Sequence, residues 1–216
     1  MGGNATLQAM VQEFPDRGPA TALVTVGKSG VESWSYGDLA ANALAIATGL
    51  TARGIGRGDS VAIVGANCAA WVAAFLGIVT AGAAAAPLDP RAGDEDLAFM
   101  LETAACRLMF TSAASAARLK TLVPSCRAIL LDVSETDANV EGWRDLAGAP
   151  DASRLPRLDP EDRAVIVFTS GTTGTPKAVP LSMPISCRTS PRSPPSGSSI
   201  RATAHFCRCR CTMSIP

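Results

Sequence analysis

Val61-Ala62-Ile63-Val64-Gly65-Ala66-Asn67-Cys68-Ala69-Ala70-Trp71-Val72-Ala73-Ala74-Phe75-Leu76-Gly77-Ile78-Val79-Thr80-Ala81-Gly82-Ala83-Ala84-Ala85-Ala86-Pro87-Leu88 carries no charged side chain. A run this long can cross a bilayer. It can also be a strand, a helix and a strand buried inside one domain, and its residues favour the second reading. Ala and Gly dominate it, and Gly65, Asn67, Gly82 and Pro87 interrupt it where a chain would turn. The spacing predicts a strand at Val61–Val64, a helix at Cys68–Thr80 and a strand at Ala83–Leu88. That is a buried βαβ unit, whose strands are apolar on both faces. No transmembrane segment is expected.

Upstream, Trp34-Ser35-Tyr36-Gly37-Asp38-Leu39 reads as a short strand running into a helix. Ser35 is placed to cap that helix, and Asp38 three residues on can return the bond. Leu39, Ala43, Ile46 and Leu50 then fall on one helical face, and Arg53-Gly54 closes it. The glycines from Gly54 to Gly58 precede the Val61 strand, so they are a turn and not a dinucleotide fingerprint, which needs strand, glycines, helix. Downstream, Asp94–Ala105 suits a helix, Arg107–Phe110 a strand, Ala113–Leu122 a helix and Ala128–Leu131 a strand. Residues 133–160 are polar and read as a surface connection. Strands alternating with helices imply an α/β fold, a parallel sheet flanked by helices. Such folds bind ligands at the loops leaving the carboxyl ends of their strands.

Composition excludes several classes. Nineteen basic side chains balance nineteen acidic ones, so no concentrated positive face points to nucleic acid. Met1-Gly2-Gly3-Asn4 opens without the basic and apolar regions of a secretory signal. Cys68, Cys106 and Cys126 lie in apolar sequence and read as reduced core residues of a cytoplasmic protein.

Val165-Ile166-Val167-Phe168 is a β-rich apolar run, followed at once by Thr169-Ser170-Gly171-Thr172-Thr173-Gly174-Thr175-Pro176-Lys177. Five hydroxyl side chains, two glycines and a lysine fall within these nine residues. Glycine lets successive backbone N–H groups point at one anion, the hydroxyls add donors, and lysine supplies a mobile positive charge. A generic linker has no strand before it and no Pro-Lys after it. A Walker A loop needs Gly-Lys-Ser/Thr, whereas Pro176 precedes Lys177 and Ala178 follows it. The pattern is that of a phosphate-binding loop.

Phe168 to Lys177 resembles the phosphate-loop signature of the adenylate-forming, AMP-binding superfamily of acyl-CoA synthetases, luciferases and nonribosomal-peptide adenylation domains. Trp34–Leu39, Gly58–Ile63 and Gly82–Pro87 are similar to further elements of that family, and the resemblance covers roughly residues 5–182. Ala178 stands where members usually have Gly, and Ala85-Ala86 replace bulkier residues. Among subfamilies the chain looks most like the long-chain fatty acid–CoA ligases.

The resemblance implies a two-step ligase using ATP, Mg²⁺ and coenzyme A. A carboxylate attacks the α-phosphorus of ATP, giving acyl-AMP and pyrophosphate, and coenzyme A then displaces AMP. Thr169, Ser170, Gly171, Thr172, Thr173, Gly174, Thr175 and Lys177 are the implied nucleotide-contacting residues, with Lys177 catalytic. The Mg²⁺ and coenzyme A sites are expected outside this chain, and no metal ligand is assigned within it.

After Ser182 the character changes. Residues 183–216 contain no Asp or Glu, show no helical or strand period, and crowd Cys187, Cys207, Cys209 and Cys211 together. The alternating Cys-x-Cys-x-Cys near His205 is not a zinc spacing. The genetic code offers another reading. If one base is lost near Ser182, the shifted codons spanning Met183-Pro184 force Ala and permit Leu-Ser-His-Ala-Asn-Ile. The same shift over Cys207 to Ile215 permits Ser-Met-Pro-Leu-His-His-Val-Asn. Both resemble the family's sequence after its phosphate loop. Residues 1–182 are therefore expected to form a partial AMP-binding domain and 183–216 a frame-shifted, disordered tail. The fragment is expected to be inactive alone. The alternatives are a non-catalytic nucleotide- or protein-binding module, or one half of a ligase whose remainder is separately encoded.

Overall fold

The computed structural model describes residues 6–27, 30–132, 140–169, 176–182, 185–187 and 209–211. The Val61–Leu88 stretch forms β3 (Ser60–Val64), α3 (Ala69–Thr80) and β4 (Ala84–Leu88). β3 and β4 pair in parallel from Ser60↔Ala84 to Val64↔Leu88. Among the described residues no helix is long and apolar enough to cross a membrane.

The strands flanking this unit are β5 (Leu108–Thr111), β6 (Arg127–Leu130), β7 (Glu141–Gly142), β8 (Arg163–Thr169) and β9 (Lys177–Ser182). They form one seven-stranded sheet in the order β7-β6-β5-β3-β4-β8-β9. Every neighbouring pair is parallel except β8–β9, which is antiparallel. The expected parallel sheet is thus present, with one reversed strand at its edge.

Alternation of side chains along each strand divides the core. Val61 and Ile63 pack with α1 (Leu7–Glu13), α2 (Tyr36–Ala52) and α3 on one face. Ala62 and Val64 pack with Leu97 and Leu101 of α4 (Asp94–Thr103) and Leu119 of α5 (Ala113–Leu122) on the other. The small residues of α3 let α2 approach closely. A Cβ at Gly77 would stand 2.7 Å from Ile46 Cγ2 and 3.0 Å from the Ala43 carbonyl oxygen.

α2 begins as its sequence requires. The Ser35 hydroxyl accepts the Asp38 N–H at 3.1 Å, and Asp38 Oδ2 accepts the Ser35 N–H at 2.9 Å. The Ser35 hydroxyl, and after it the Ser35 backbone, hold the Asp38 carboxyl below the ordinary carboxylate range. Gly54, at φ 71°, ends the helix in the left-handed region that glycine favours.

Several elements differ from expectation. β1 (Thr21–Gly27) and β2 (Gly30–Ser35) form a separate antiparallel hairpin. Its Trp34 ring lies 6.2 Å from that of Trp143. Residues 133–160 are not merely a surface connection. They contain β7 and α6 (Trp143–Leu146), whose Trp143 and Leu146 are only 2% and 1% exposed. Glu141 binds both Arg53 (2.5 Å) and Arg127 (2.8 Å), tying β7 to α2 and β6. Cys68 is half-buried, because it caps α3 with Sγ accepting the Trp71 N–H at 3.4 Å; Cys106 and Cys126 are buried as expected. Within 183–216 the structure describes two three-residue strands, β10 (Ile185–Cys187) and β11 (Cys209–Cys211), paired antiparallel.

Candidate functional site

β8 is buried at Ala164, Val165 and Ile166, then emerges at the carboxyl end of the sheet, where Thr169 is exposed. β9 starts from Lys177, also exposed, and pairs back along β8. The register sets Thr169 opposite Lys177, Phe168 opposite Ala178 and Val167 opposite Val179. Directly paired residues on antiparallel strands lie about 4.5–5.5 Å apart and share a face. Thr169 and Lys177 therefore hold the two ends of the hydroxyl-rich loop together. Beneath them, Phe168 and Ala178 pack against the α4–α5 side of the core. Of the predicted contact residues the structure brings together Thr169 and Lys177. Ser170, Gly171, Thr172, Thr173, Gly174 and Thr175 lie outside the described residues.

The neighbouring strand ends bear on this edge. β4 pairs with β8 at Ala85↔Val165, and Asp89 directly follows β4. Asp89 accepts the Arg91 N–H and Nε–H at 2.9 and 3.1 Å through Oδ1, and Nη2–H at 2.9 Å through Oδ2. The Arg91 side chain, and after it its backbone N–H, hold the Asp89 carboxyl down at about 2. From α5, Arg118 donates to the Pro90 and Ala92 carbonyl oxygens at 3.2 and 2.9 Å and to Asp94 at 2.6 Å. Sequence reasoning missed both arginines, although an Asp-Pro-Arg turn directly after a buried strand was visible. On β5, the buried Thr111 hydroxyl donates to the Val64 carbonyl oxygen at 2.9 Å, fixing the adjacent strand end.

A shallow crevice lined by Leu7, Val79, Gly82, Leu158, Pro160 and Ala164 opens near the start of β8, at the opposite end of that strand from Thr169. It is remote from the groups capable of phosphate chemistry. Among the described residues no three His, Cys, Asp or Glu side chains stand together to hold a metal ion.

The sequence model of the AMP-binding enzymes matches residues 8–186. The chain belongs to this family. It is 30% identical over 179 residues to the nonribosomal peptide synthetase sidC of Aspergillus fumigatus, covering 82% of this chain and 4% of that one. It is 32% identical over 157 residues to 3-hydroxybenzoate–CoA ligase of Aromatoleum sp. (strain CIB), covering 69% of this chain and 29% of that one. Its fold resembles that of ATP-bound MatB from Rhodopseudomonas palustris, with a TM-score of 0.67 and 24% identity over 83% of this chain and 35% of that one. This AMP-binding family member thus spans well under half the length of each. Its relatives include both a peptide synthetase and a hydroxybenzoate–CoA ligase, so the shared ground is the adenylate-forming family and not the fatty acid branch alone.

Proposed function

We propose that this chain carries the ATP-phosphate-handling part of an enzyme that activates a carboxylic acid as an acyl-adenylate. The observation that supports this most is the closure of the loop by Thr169 and Lys177 at the carboxyl end of a buried strand. The backbone at Gly171 and Gly174, with the hydroxyls of Thr169, Ser170, Thr172, Thr173 and Thr175, holds the β- and γ-phosphates. A carboxylate oxygen attacks the α-phosphorus, the bond to the pyrophosphate oxygen breaks, and acyl-AMP and pyrophosphate form. Lys177 neutralises the departing pyrophosphate, the positioning and charge stabilisation on which phosphoryl chemistry depends. The Asp89 carboxylate, directly after β4, is engaged by Arg91, and the described residues offer no acidic cluster to a magnesium ion.

In this reading the acid is a fatty acid and the acceptor is coenzyme A, whose sulfur displaces AMP at the acyl carbon. The shifted-frame Leu-His-His segment supports that choice over an amino acid. The reduced thiols of Cys68, Cys106 and Cys126 support a cytoplasmic location. The second reading is a non-catalytic nucleotide- or protein-binding module, or half of a split ligase.

Two experiments test this. Reading the DNA around Ser182 and beyond shows whether the family's remaining motifs continue in a shifted frame, start as a separate gene or are missing. In the protein joined to those motifs, fatty, amino and aromatic acids are offered in turn while pyrophosphate release is followed. Release with fatty acids, lowered about 10²–10³-fold by Lys177→Ala, supports the proposal; an unchanged rate in the variant sinks the role of Lys177.

A further inference from the structure

We propose that β1 is a self-association edge: two copies of this chain pair their β1 strands antiparallel and join both hairpins into one four-stranded sheet. The hairpin is anchored by the cross-strand pair Leu23 and Trp34, which packs against the core. Side chains alternate along a strand, so Val24 and Val26 face away from that anchor, and Val31 sits opposite Val26. Among the described residues five large apolar side chains are exposed, and these three valines are the most exposed of them. Single exposed apolar residues are ordinary, whereas three on one face make a patch.

Unpaired backbone runs beside the patch. Every second residue of a paired strand turns its N–H and C=O away from its neighbour, and among the described residues β1 pairs with β2 alone. Open edges are usually blunted by brevity, charge or proline. The seven-stranded sheet follows that rule at both margins, where β7 has two residues and β9 carries Lys177 and Pro180. β1 does not. Its seven residues, Thr21–Gly27, include neither a charge nor a proline.

Charge selects both the edge and its occupant. β2 exposes Glu32, so pairing two copies through β2 brings like charges together, which opposes it. Pairing through β1 meets no charge. Centred on Thr25, it sets Val24 opposite Val26 of the second copy twice over, and β-branched cross-strand pairs stabilise sheets. The edge is therefore self-complementary, as a two-fold contact requires. The register shift between Thr21 and Leu23 confines the contact to Leu23–Gly27 of each copy, so the association is weak and reversible.

The test follows the full 216-residue chain by sedimentation from about 5 to 500 μM, the range in which weak pairs form. Wild type is expected to pass from monomer to dimer. Val24→Lys/Val26→Lys places four charges along the seam and is expected to weaken the dimer about tenfold or more. Directly paired Cα atoms lie about 4.5–5.5 Å apart, within the span of a disulfide. Thr25→Cys is therefore expected to cross-link to its own copy on mild oxidation, as peptide mapping will show, whereas Ser33→Cys on β2 is not. A wild type that stays monomeric throughout overturns the proposal. So does a dimer that survives both lysines, or one in which Ser33→Cys links as readily as Thr25→Cys. Growth beyond the dimer also overturns it, because a two-fold contact closes. Should the lysines lower the thermal midpoint, the two cysteine variants decide by the same criterion.

Discussion

Gly49 of α2 and Leu146 of α6 meet backbone to backbone: a Cβ on Gly49 would run into the Leu146 carbonyl oxygen. Arg53 Nη1 donates to the carbonyl oxygens of both residues, at 3.1 and 3.2 Å. Just beyond, the Gly148 N–H donates to the Ala45 carbonyl oxygen at 3.0 Å and the Asp151 N–H to the Thr48 hydroxyl at 3.1 Å. The segment after β7 is therefore zipped along α2. Alanine normally gains about 1 kcal/mol over glycine inside a helix, but here the clash is with backbone that cannot rotate aside. Gly49→Ala is expected to destabilise by roughly 2–4 kcal/mol, read from the urea midpoint. A neutral or stabilising result would show that 146–151 does not lie on α2.

Gly77 and Ile46 make the same point through a side chain that can be trimmed. The variant Gly77→Ala is expected to lose about 1–3 kcal/mol by overpacking. Trimming the partner with Ile46→Ala alone costs about 2–5 kcal/mol. Combined, the two should lose less than their sum, because the new methyl occupies the space released. Strict additivity in denaturation would contradict the contact.

Much of this fold was legible because its signals are local. The Ser35/Asp38 box, the α2 stripe and the Val61–Leu88 unit each announce themselves within a few residues. Trp143 and Leu146 were hidden because two buried side chains in a polar stretch carry no period. The β1–β2 hairpin was hidden because Val24, Val26 and Val31 point outward and are 60%, 78% and 71% exposed, defeating the rule that apolar alternation faces a core. β9 had a usable signal: Pro180 within an apolar run belongs on an edge strand. At the candidate site, chemistry was readable in residues 168–177, whereas the Asp89–Arg91 neighbourhood depends on β8 returning to lie beside β4. No local pattern encodes that.

Ala105 takes φ 52°, the left-handed region, just after α4. A Cβ there is strained, and glycine is not. Ala105→Gly is therefore expected to raise stability by about 0.5–1 kcal/mol, visible as a higher denaturation midpoint. A loss of that size would argue that the methyl contributes packing that outweighs the strain.

Burial pushes the Cys106 thiol up to about 12, with the neighbouring Cys126 adding to the effect, and burial pushes Cys126 up to about 11. Folding therefore favours the protonated thiols. That contribution is fully present below the ordinary value of 9.0 and is lost as pH rises through about 11 and 12. Stability should fall across this alkaline window, and Cys106→Ala/Cys126→Ala should flatten the fall. With native protein at about pH 8, peptide mapping after alkylation should find Cys68 modified well before Cys106 or Cys126. Equal modification of all three would show that the α4–α5 side of the core opens.

The most direct test of the central claim is covalent. The chain has three lysines, Lys28, Lys120 and Lys177. An acyl-phosphate ester of ATP acylates whichever lysine amine lies beside its outermost phosphate, and mass mapping then reports each site. The account predicts that Lys177 is labelled first and that excess ATP, but not adenosine, protects it while leaving Lys28 and Lys120 unaffected. Uniform labelling of the three lysines, indifferent to ATP, would contradict a phosphate site at the end of β8.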